Sequence, residues 1–262
     1  MRTIIRIVAV AIALGGAALT VPGPAQAAKP HWTVSIHANK ATVTAGKKAW
    51  FHGKVARAAA GKLVTLQERL AGSTAWKDQR DALVRRDGTY TTYDAPTVNR
   101  RHFYRVVMPA SKNHRRGVSD KVVVDVFKWT TLTSIPAVNQ DYLYPETSVS
   151  FDGVTFPSSI EAYLYYDPPA TQSIEFNLDH RCTRFRGTFG ISDDSESGSQ
   201  ASVQASADGV PWYDHTFALG ESQANSFTFA TPPLKVRFDT VSLVDELDGL
   251  GAVGTPEVYC EG

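Results

Sequence analysis

The chain has 262 residues, of which 43% are hydrophobic and 20% charged, and its formal net charge at pH 7 is only +1. That small value hides a division: residues 28–128 carry 20 lysines and arginines against 7 acids, whereas residues 130–262 carry 5 against 19. The net charges of the two segments are therefore +13 and −14, which favours two modules that meet different partners. Beyond residue 27 no segment has even 15 consecutive apolar residues, which excludes a membrane span of about 20 residues from the rest of the chain.

Residues 1–27 are predicted to be a signal peptide. Arg2 and Arg6 form a basic start, residues 7–19 are almost entirely apolar or small, and Ala25-Gln26-Ala27 fits the small-x-small cleavage pattern. The apolar run is shorter than the roughly 20 residues that cross a bilayer, so cleavage is favoured over a retained anchor. We therefore expect a secreted, extracellular protein, whose remaining residues, about 235 in number, suffice for two domains.

The basic segment, residues 28–128, is predicted to consist of short β-strands separated by turns. Its strand candidates are rich in β-branched and aromatic residues, and Ala-Gly or Asp-Gly pairs separate them at spacings of roughly 8–15 residues, which is typical of a sandwich. The candidates are residues 32–36, 49–53, 63–67 and 122–126.

This basic segment resembles bacterial immunoglobulin-like or fibronectin type III-like domains. The resemblance rests on Gly46-Lys-Lys-Ala-Trp-Phe-His-Gly53, Leu63-Val-Thr-Leu-Gln-Glu-Arg69, Trp76, Arg86-Asp-Gly-Thr-Tyr90 and Phe103-Tyr-Arg-Val-Val107. It implies an immunoglobulin-like β-sandwich over residues 28–128. It implies nothing about function, because such folds carry many unrelated functions.

Residues 129–146 are predicted to be a linker or a first strand, and residues 147–262 a second β-sandwich. In the acidic segment polar and apolar residues alternate over residues 173–178 and 184–191, as expected for antiparallel sheets with one buried face. Ala207-Asp208-Gly209 marks a hairpin turn. The chain after residue 27 is thus predicted to be all-β, with two β-sandwich domains.

The acidic segment resembles the NPCBM carbohydrate-binding modules, which are galactose-binding-like jelly rolls. The resemblance rests on Val149-Ser-Phe-Asp-Gly-Val-Thr-Phe-Pro-Ser-Ser159 and on residues 174–179, 182–194 and 203–213. It implies a jelly roll over residues 147–262 that binds carbohydrate. The chain departs from the family at residues 160–166, where members carry a Gly-x-x-x-His-Ala stretch. That departure favours the alternative of a jelly roll without a sugar site.

Cys182 and Cys260, the two cysteines of the chain, are predicted to form a disulfide. In an oxidising compartment this pairing is favoured over two free thiols or a metal pair. His180 beside Cys182 supplies a single candidate for a zinc site, which is too few ligands. The disulfide would tie the C-terminus back to a strand.

Three carboxylates crowd into one loop of the acidic segment, at Asp193, Asp194 and Glu196. Calcium takes oxygen ligands, so these three residues are candidate Ca²⁺ ligands and calcium is the one cofactor candidate. The alternative is a solvated acidic turn, and the loop fails the EF-hand pattern. Asp245-Glu246-Leu247-Asp248 is a second such cluster, and the calcium interpretation gains if the two loops converge.

Aromatic side chains are the better candidates for ligand binding. Tyr163, Tyr165, Trp212 and Tyr213 carry flat apolar faces with polar tips, which can stack on a sugar ring. Alternation places Tyr163 and Tyr165 on one face of a strand. We include Asp193 and Asp194 among the candidate ligand-binding residues, and the alternative is that most of these rings fill the sandwich core.

The partners expected from the charges are a glycan or an anionic cell-wall polymer. The pairs Arg85-Arg86, Arg100-Arg101 and Arg115-Arg116 lie in predicted loops of the basic segment and could dock on such polymers. Nucleic acid is not expected, since no reading motif accompanies the charge. Alternatively, the two oppositely charged segments pack on each other or on a protein partner.

No catalytic constellation accompanies these features. The seven histidines are scattered, and neither a Gly-x-Ser-x-Gly elbow nor a His-Glu-x-x-His motif is present. Gly249-Leu-Gly-Ala-Val-Gly254 matches the dinucleotide-binding pattern G-x-G-x-x-G by its letters only. Such a site also needs a helix after the motif and an acidic residue about 20 positions further on, and 8 residues follow Gly254. The sequence therefore predicts a non-enzymatic exported protein that binds carbohydrate through its acidic jelly roll. The alternatives are a structural or protein-interaction pair of modules and, less favoured, an exported glycoside hydrolase.

Overall fold

The computed structural model describes residues 28–163, 171–244 and 247–262. These residues form 19 β-strands and two short 3₁₀ turns, and they contain no α-helix. The predicted all-β fold is therefore confirmed. Within the described ranges no helix has the length and apolar character needed to cross a membrane. The predicted signal peptide, residues 1–27, lies outside them.

Nine strands from the basic segment form two sheets that pack face to face. The strands are β1 (His37–Ala38), β2 (Thr42–Thr44), β3 (Ala49–Lys54), β4 (Leu63–Leu70), β5 (Lys77–Leu83), β6 (Thr89–Asp94), β7 (Arg101–Met108), β8 (Gly117–Val118) and β9 (Val122–Thr131). One sheet has the order β1-β3-β6 and the other β2-β9-β7-β4-β5, with β8 beside β7. Phe51 and Tyr104, one from each sheet, are buried with their ring centroids 4.5 Å apart.

Ten strands from the acidic segment form a second sandwich. They are β10 (Ala137–Asp141), β11 (Leu143–Phe151), β12 (Val154–Ala162), β13 (Gln172–Asn177), β14 (Cys182–Ile191), β15 (Gln200–Ala207), β16 (Val210–Ala218), β17 (Ser222–Thr228), β18 (Lys235–Ser242) and β19 (Gly251–Glu261). The sheets have the orders β10-β13-β18-β15-β16 and β11-β12-β19-β14-β17. Phe185 of β14 and Phe238 of β18 meet between them, with ring centroids 5.6 Å apart.

Alternation of side chains explains why these segments form half-buried strands. In β18, Val236, Phe238 and Thr240 are buried, while Arg237 and Asp239 between them reach solvent and pair with each other at 2.7 Å. Successive side chains of a strand point to opposite faces, so every second residue enters the core. A fully buried side chain of this size contributes about 1.5–3 kcal/mol relative to exposure, which fixes the register of the strand.

Strand β9 joins the two sandwiches into one continuous sheet. Its first part, residues 122–125, pairs with β7, and residues 127–131 pair antiparallel with residues 257–261 of β19. Side chains support this junction: the hydroxyls of Tyr259 and Thr44 are 2.6 Å apart and hydrogen-bonded. The backbone ladder therefore holds the two halves directly together.

Residues 129–146, predicted to be a linker or a first strand, are accordingly structured. They comprise the end of β9, a 3₁₀ turn at Leu132–Ser134, β10 and the start of β11. The core residue clusters separate at the same place: one ends at Val126 and the other begins at Leu132. The division into domains at residues 28–128 and 147–262 stays a prediction, which these separate cores support.

The predicted disulfide between Cys182 and Cys260 is confirmed. The two residues are cross-strand partners at the start of β14 and near the end of β19. Both are buried in the core of the second sandwich. On the other side of β19, Cys260 is the cross-strand partner of Lys128 of β9. The disulfide therefore links β14 to β19 beside the junction of the two halves.

The tip of the β11–β12 hairpin folds over the outer face of β14 and β19. Phe151 and Phe156 pack there, on two positions that hold glycine. A Cβ atom at Gly254 would lie 2.7 Å from Phe156, and one at Gly190 would lie 3.0 Å from Phe151. Because those distances are too short for a side chain, the hairpin can approach only over glycine.

Candidate functional site

Two exposed tyrosines lie on the outer face of the sheet where β11 and β12 pair. The register places Leu143 opposite Ala162 and Tyr144 opposite Glu161. Since Leu143 and Ala162 are buried in the core, alternation turns Tyr144, Glu161 and Tyr163 outward. The side chains of Tyr144 and Tyr163 are 37% and 56% exposed. Exposed rings in such a pair are available to a ligand.

The two tyrosine rings are held in a defined geometry. Their centroids are 6.0 Å apart and their planes are nearly perpendicular, at 84°. The backbone of Tyr163 is fixed on both sides: its N–H donates to the carbonyl of Tyr142 at 2.9 Å, and its carbonyl accepts from Nε2 of Gln172 at 3.3 Å. Little backbone freedom would be lost on binding, because the backbone of Tyr163 is already fixed.

The carboxyl group of Glu161, which is opposite Tyr144 in the register, is partly buried. Oε1 of Glu161 is buried and has no hydrogen-bond partner among the described residues. Burial raises the pKa of Glu161, and the charges of Asp194 and Glu146 raise it further, while a hydrogen bond involving the Ser192 hydroxyl opposes them. An unpaired buried oxygen is costly, and the cost is greater for a charged carboxylate, so burial favours the protonated form of this group.

We call the group formed by Tyr144, Glu146, Glu161 and Tyr163 the tyrosine site. A cavity of about 380 Å³, open to solvent, is lined by Tyr144, Pro145, Glu146 and Tyr163. It offers two aromatic rings with the carboxylate of Glu146 at its side, and no cationic group is among its lining residues. Such a surface can hold a neutral polyhydroxyl ring by stacking and by hydrogen bonds to carboxylate oxygens.

Trp212 and Tyr213, both predicted ligand-binding residues, lie in the aromatic packing between the two sheets. The Trp212 ring stacks on Phe227 with centroids 4.9 Å apart, and Tyr213 stacks on Phe189 at 4.0 Å. The Tyr213 hydroxyl donates to Oε1 of Gln223 at 3.0 Å, and burial raises its pKa to about 12. Their ligand role stays a prediction, and most of their ring surface is engaged in packing.

Asp193 clamps the hairpin tip that carries Phe151. Its Oδ1 accepts the backbone N–H of Asp152 and its Oδ2 that of Gly153, both at 2.8 Å. Both carboxylate oxygens are therefore already used within the protein. Asp194 is exposed beside it, and its charge acts on Glu161 of the tyrosine site. Sequence reasoning did not foresee this structural task for Asp193.

The two acidic loops converge, as far as they are described. The backbone N–H of Glu196 donates to the carbonyl of Asp248 at 3.1 Å, and the N–H of Asp248 donates to Oε2 of Glu196 at 3.4 Å. Among the described residues no group of three or more His, Cys, Asp or Glu side chains is arranged to hold a metal ion. Asp245, Glu246 and the predicted ligand Tyr165 lie outside the described residues.

A larger cleft of about 590 Å³ lies between the hairpin tip and the β16–β17 turn. Two of its polar side chains are already occupied: Glu221 accepts the backbone N–H of Ala218 at 2.9 Å, and Gln223 accepts the hydroxyl of Tyr213. Its rings Phe151 and Phe217 are buried beneath the surface. Compared with the tyrosine site, this cleft offers more volume, but its phenylalanine rings are less exposed than Tyr163.

Sequence reasoning found Tyr163 but missed Tyr144 and Glu161. The sequence contained a signal for Tyr144. In a hairpin with its turn at Asp152-Gly153, the numbers of paired residues sum to 305, which places Tyr144 opposite Glu161. The unpaired state of Oε1 of Glu161 had no sequence signal. It depends on which loops reach the carboxyl group in the folded protein.

The fold and the site define an all-β protein of β-sandwich architecture, with exposed aromatic rings and carboxylates on one outer sheet face. No protein-family model matches the chain. No curated protein matches it either.

Among solved structures the chain is distantly similar to β-sandwich proteins of more than one function. The carbohydrate-binding module TmCBM61, in complex with β-1,4-galactotriose, is 11% identical with a TM-score of 0.26, over 51% of this chain and 88% of that one. Carbohydrate-binding module CBM36, in complex with calcium and xylotriose, is 15% identical with a TM-score of 0.28, over 50% and 98%. An allantoicase from Saccharomyces cerevisiae is 9% identical with a TM-score of 0.29, over 86% and 79%.

Proposed function

We propose that this is an exported, non-enzymatic protein that binds carbohydrate at the tyrosine site of its acidic jelly roll. The observation that carries the proposal is the exposed pair of Tyr144 and Tyr163 beside Glu146, all three of which line one open cavity. Apolar faces and free acceptors side by side are what a sugar requires, because each ring has a C–H face and a rim of hydroxyl groups.

One aromatic ring carries the stacking contact and the other limits its direction. The rings of Tyr144 and Tyr163 are nearly perpendicular, so a flat sugar ring can lie against only one of them while its edge faces the other. The carboxylate of Glu146, which lines the same cavity, then accepts sugar hydroxyls. The favoured ligand is a neutral glycan, because the acidic segment has a net charge of −14 and would repel an anionic chain.

Export to an oxidising compartment agrees with the disulfide, since disulfides persist outside the cytosol. The immunoglobulin-like assignment of residues 28–128 is part of the proposal. It is supported by the two facing sheets β1-β3-β6 and β2-β9-β7-β4-β5, which form an antiparallel sandwich apart from the parallel pair β2–β9. In this arrangement the basic half would present the glycan-binding half at a cell envelope.

Calcium is proposed only as a possible partner of the loop that holds Asp194 and Glu196. Both side chains are exposed, whereas both oxygens of Asp193 accept backbone N–H groups. A calcium ion at Asp193 would therefore have to compete with the clamp on the hairpin tip. Titration of the purified protein with Ca²⁺ in a calorimeter tests this: heat of binding that Asp194→Asn removes supports the site, and no heat excludes it.

The glycan proposal is tested by screening the purified protein on an array of neutral and acidic glycans, followed by calorimetry with the best ligand. We expect Tyr163→Ala and Tyr144→Ala to weaken binding about tenfold or more each, because a stacked ring contributes on the order of 1–3 kcal/mol. Trp50→Ala is the matched control, since Trp50 is 41% exposed on the basic half and should leave glycan binding unchanged.

Three outcomes would contradict the proposal. A blank array together with a blank pull-down on cell-wall material would favour a structural or protein-interaction role. Equal losses from Tyr163→Ala and Trp50→Ala would remove the site. Turnover of chromogenic glycosides by the purified protein would show a hydrolase instead. If the array instead finds a ligand whose binding depends on His215 or Gln223, the larger cleft is the site.

A further inference from the structure

The outer face of the sheet formed by β4, β7 and β9 carries cations interleaved with aromatic rings. We call the group of Arg69, Trp76, Phe103, Arg105 and Lys121 the cationic face. Phe103 and Arg105 alternate along β7 with Tyr104 and Val106, which are fully buried, so their side chains point outward. This group lies in the basic half and shares no residue with the tyrosine site.

The cations of this face are stacked on the rings. The guanidinium carbon of Arg105 lies 4.1 Å from the ring centroid of Trp76, and that of Arg69 lies 5.3 Å from it. Arg69 is also 4.8 Å from the ring of Phe103, and Nζ of Lys121 is 5.0 Å from that ring. Stacking holds a guanidinium flat and leaves its N–H edges free to meet a planar anion.

These cations have no counter-ion in the described part of the chain. Elsewhere arginines are paired with carboxylates, as Arg101 is with Asp125 at 2.7 Å, but no ion pair involves Arg69, Arg105 or Lys121 among the described residues. Arg105 donates from Nε to the amide oxygen of Gln67 at 2.8 Å, and Nε of Arg69 is buried without a partner. Burial lowers the pKa of Arg105, and the nearby charges of Arg116 and Arg69 lower it further.

The described residues of the acidic half form no ion pair with these cations. The junction between the halves lies at the Arg101 end of β7, where Arg101 and Arg181 act on Glu261. Arg105 is four residues further along the same strand, which at about 3.3 Å per residue is roughly 13 Å away. The charge interaction described between the two segments therefore lies at the junction, away from Arg105. The cationic face is left to bind an external anion.

We propose that the cationic face binds an acidic polysaccharide through the carboxylates of its uronic acid residues. A uronate ring has an apolar C–H face next to a planar carboxylate. The cationic face has aromatic rings that can cover the C–H face and, next to them, guanidinium groups that can bind the carboxylate. Val123 is 39% exposed directly opposite Phe103 on the neighbouring strand, which adds an apolar flank beside the cations. A phosphate polymer would match the charges but would leave these apolar groups uncovered.

The experiment measures binding of the purified protein to polygalacturonate, to an uncharged galactan and to inorganic polyphosphate by calorimetry at two salt concentrations. We expect polygalacturonate to bind, with an affinity that falls as salt rises. Arg69→Gln with Arg105→Gln should weaken this binding about tenfold or more, since two charge-assisted contacts are lost. The control is Lys40→Gln with Arg57→Gln, which removes the same charge from exposed positions and should change the affinity less than about twofold.

A second pair of variants keeps the proposal testable if the first fails to fold. Arg69→Lys with Arg105→Lys retains the charge but loses the flat guanidinium fork, and should still weaken polygalacturonate binding several-fold. Equal losses in the test and control variants, or binding of polyphosphate without polygalacturonate, would overturn the proposal. Tyr163→Ala should leave uronate binding unchanged, so failure here is distinguishable from failure at the tyrosine site.

Discussion

Removal of the disulfide should destabilise the acidic half strongly. Cys182 and Cys260 are 78 positions apart in sequence. In the chain-entropy account, closing a loop of that length removes about 15 cal/mol/K of entropy from the unfolded chain, which is about 4.5 kcal/mol at 25 °C. Replacing both cysteines with alanine should therefore lower the free energy of unfolding by about 4–5 kcal/mol, a large part of the roughly 5–15 kcal/mol that stabilises an ordinary domain.

The assay is guanidinium chloride unfolding followed by circular dichroism, with and without a reducing agent. Reductant should shift the midpoint of the native protein toward that of the Cys182→Ala, Cys260→Ala variant. It should leave the variant unchanged, because the chain contains two cysteines and both are then absent. This second comparison separates loss of the cross-link from any general effect of the reductant.

The position of the disulfide adds a structural expectation. Cys260 pairs with Lys128 of β9 in the sheet that joins the two halves, so loosening β19 should also weaken the junction. We therefore expect the variant to lose cooperativity between the halves and to unfold in two steps. A loss below about 1 kcal/mol would refute the loop-closure reasoning, since it would mean that the unfolded chain gains no freedom when the cross-link is cut.

Three further predictions test single residues by thermal unfolding. The pKa of Glu161 is raised above its ordinary value of 4.5, so ionisation of this group lowers the stability of the folded protein as pH rises. Glu161→Gln should therefore raise Tm relative to the native protein more at pH 7 than at pH 4. An equal gain at both pH values would contradict this. His102 is buried, and its Nδ1 is hydrogen-bonded to Oε1 of Glu68 and its Nε2 to the carbonyl oxygen of Val98. Burial lowers the pKa of His102, but these hydrogen bonds raise it by more, so that its pKa in the folded protein lies above 6.5. That stabilisation is complete below pH 6.5 and lost as pH rises through the folded pKa, so His102→Gln should cost more stability at pH 6 than at pH 9, and a pH-independent loss would exclude the ion pair. Gly254→Ala should cost about 1–3 kcal/mol by overpacking, because its Cβ would lie 2.7 Å from Phe156; an unchanged Tm would show that the hairpin tip can move away.

The aromatic residues show where sequence reasoning succeeds and where it stops. Tyr163 and Trp212 looked equivalent in the sequence, since each is an aromatic residue in a predicted strand. In the structure Tyr163 is 56% exposed, whereas Trp212 lies among the rings of the sandwich interior. Alternation separates the two faces of one strand but does not say which face meets the other sheet, because that depends on residues far away in the chain.

The acidic loop shows the same limit for charged residues. Asp193 and Asp194 are neighbours of the same type, and the sequence offered both as ligands. The folded chain brings the hairpin tip to Asp193, whose oxygens take the N–H groups of Asp152 and Gly153, and leaves Asp194 exposed. These partners are about 40 residues apart in sequence, and no local pattern connects them.

The sequence by itself determined the all-β class, the opposite charges of the two halves and the pairing of the two cysteines. These follow from local alternation, from composition and from there being a single possible disulfide. Only the tertiary structure decided that β9 pairs with strands of both halves, that Oε1 of Glu161 is buried without a hydrogen-bond partner among the described residues, and that Arg69 and Arg105 stack on Trp76 with no ion pair among those residues. Strands β9 and β19, like residues Trp76 and Arg105, are distant in the chain, and which side chains fill each of the two cores decides how they meet.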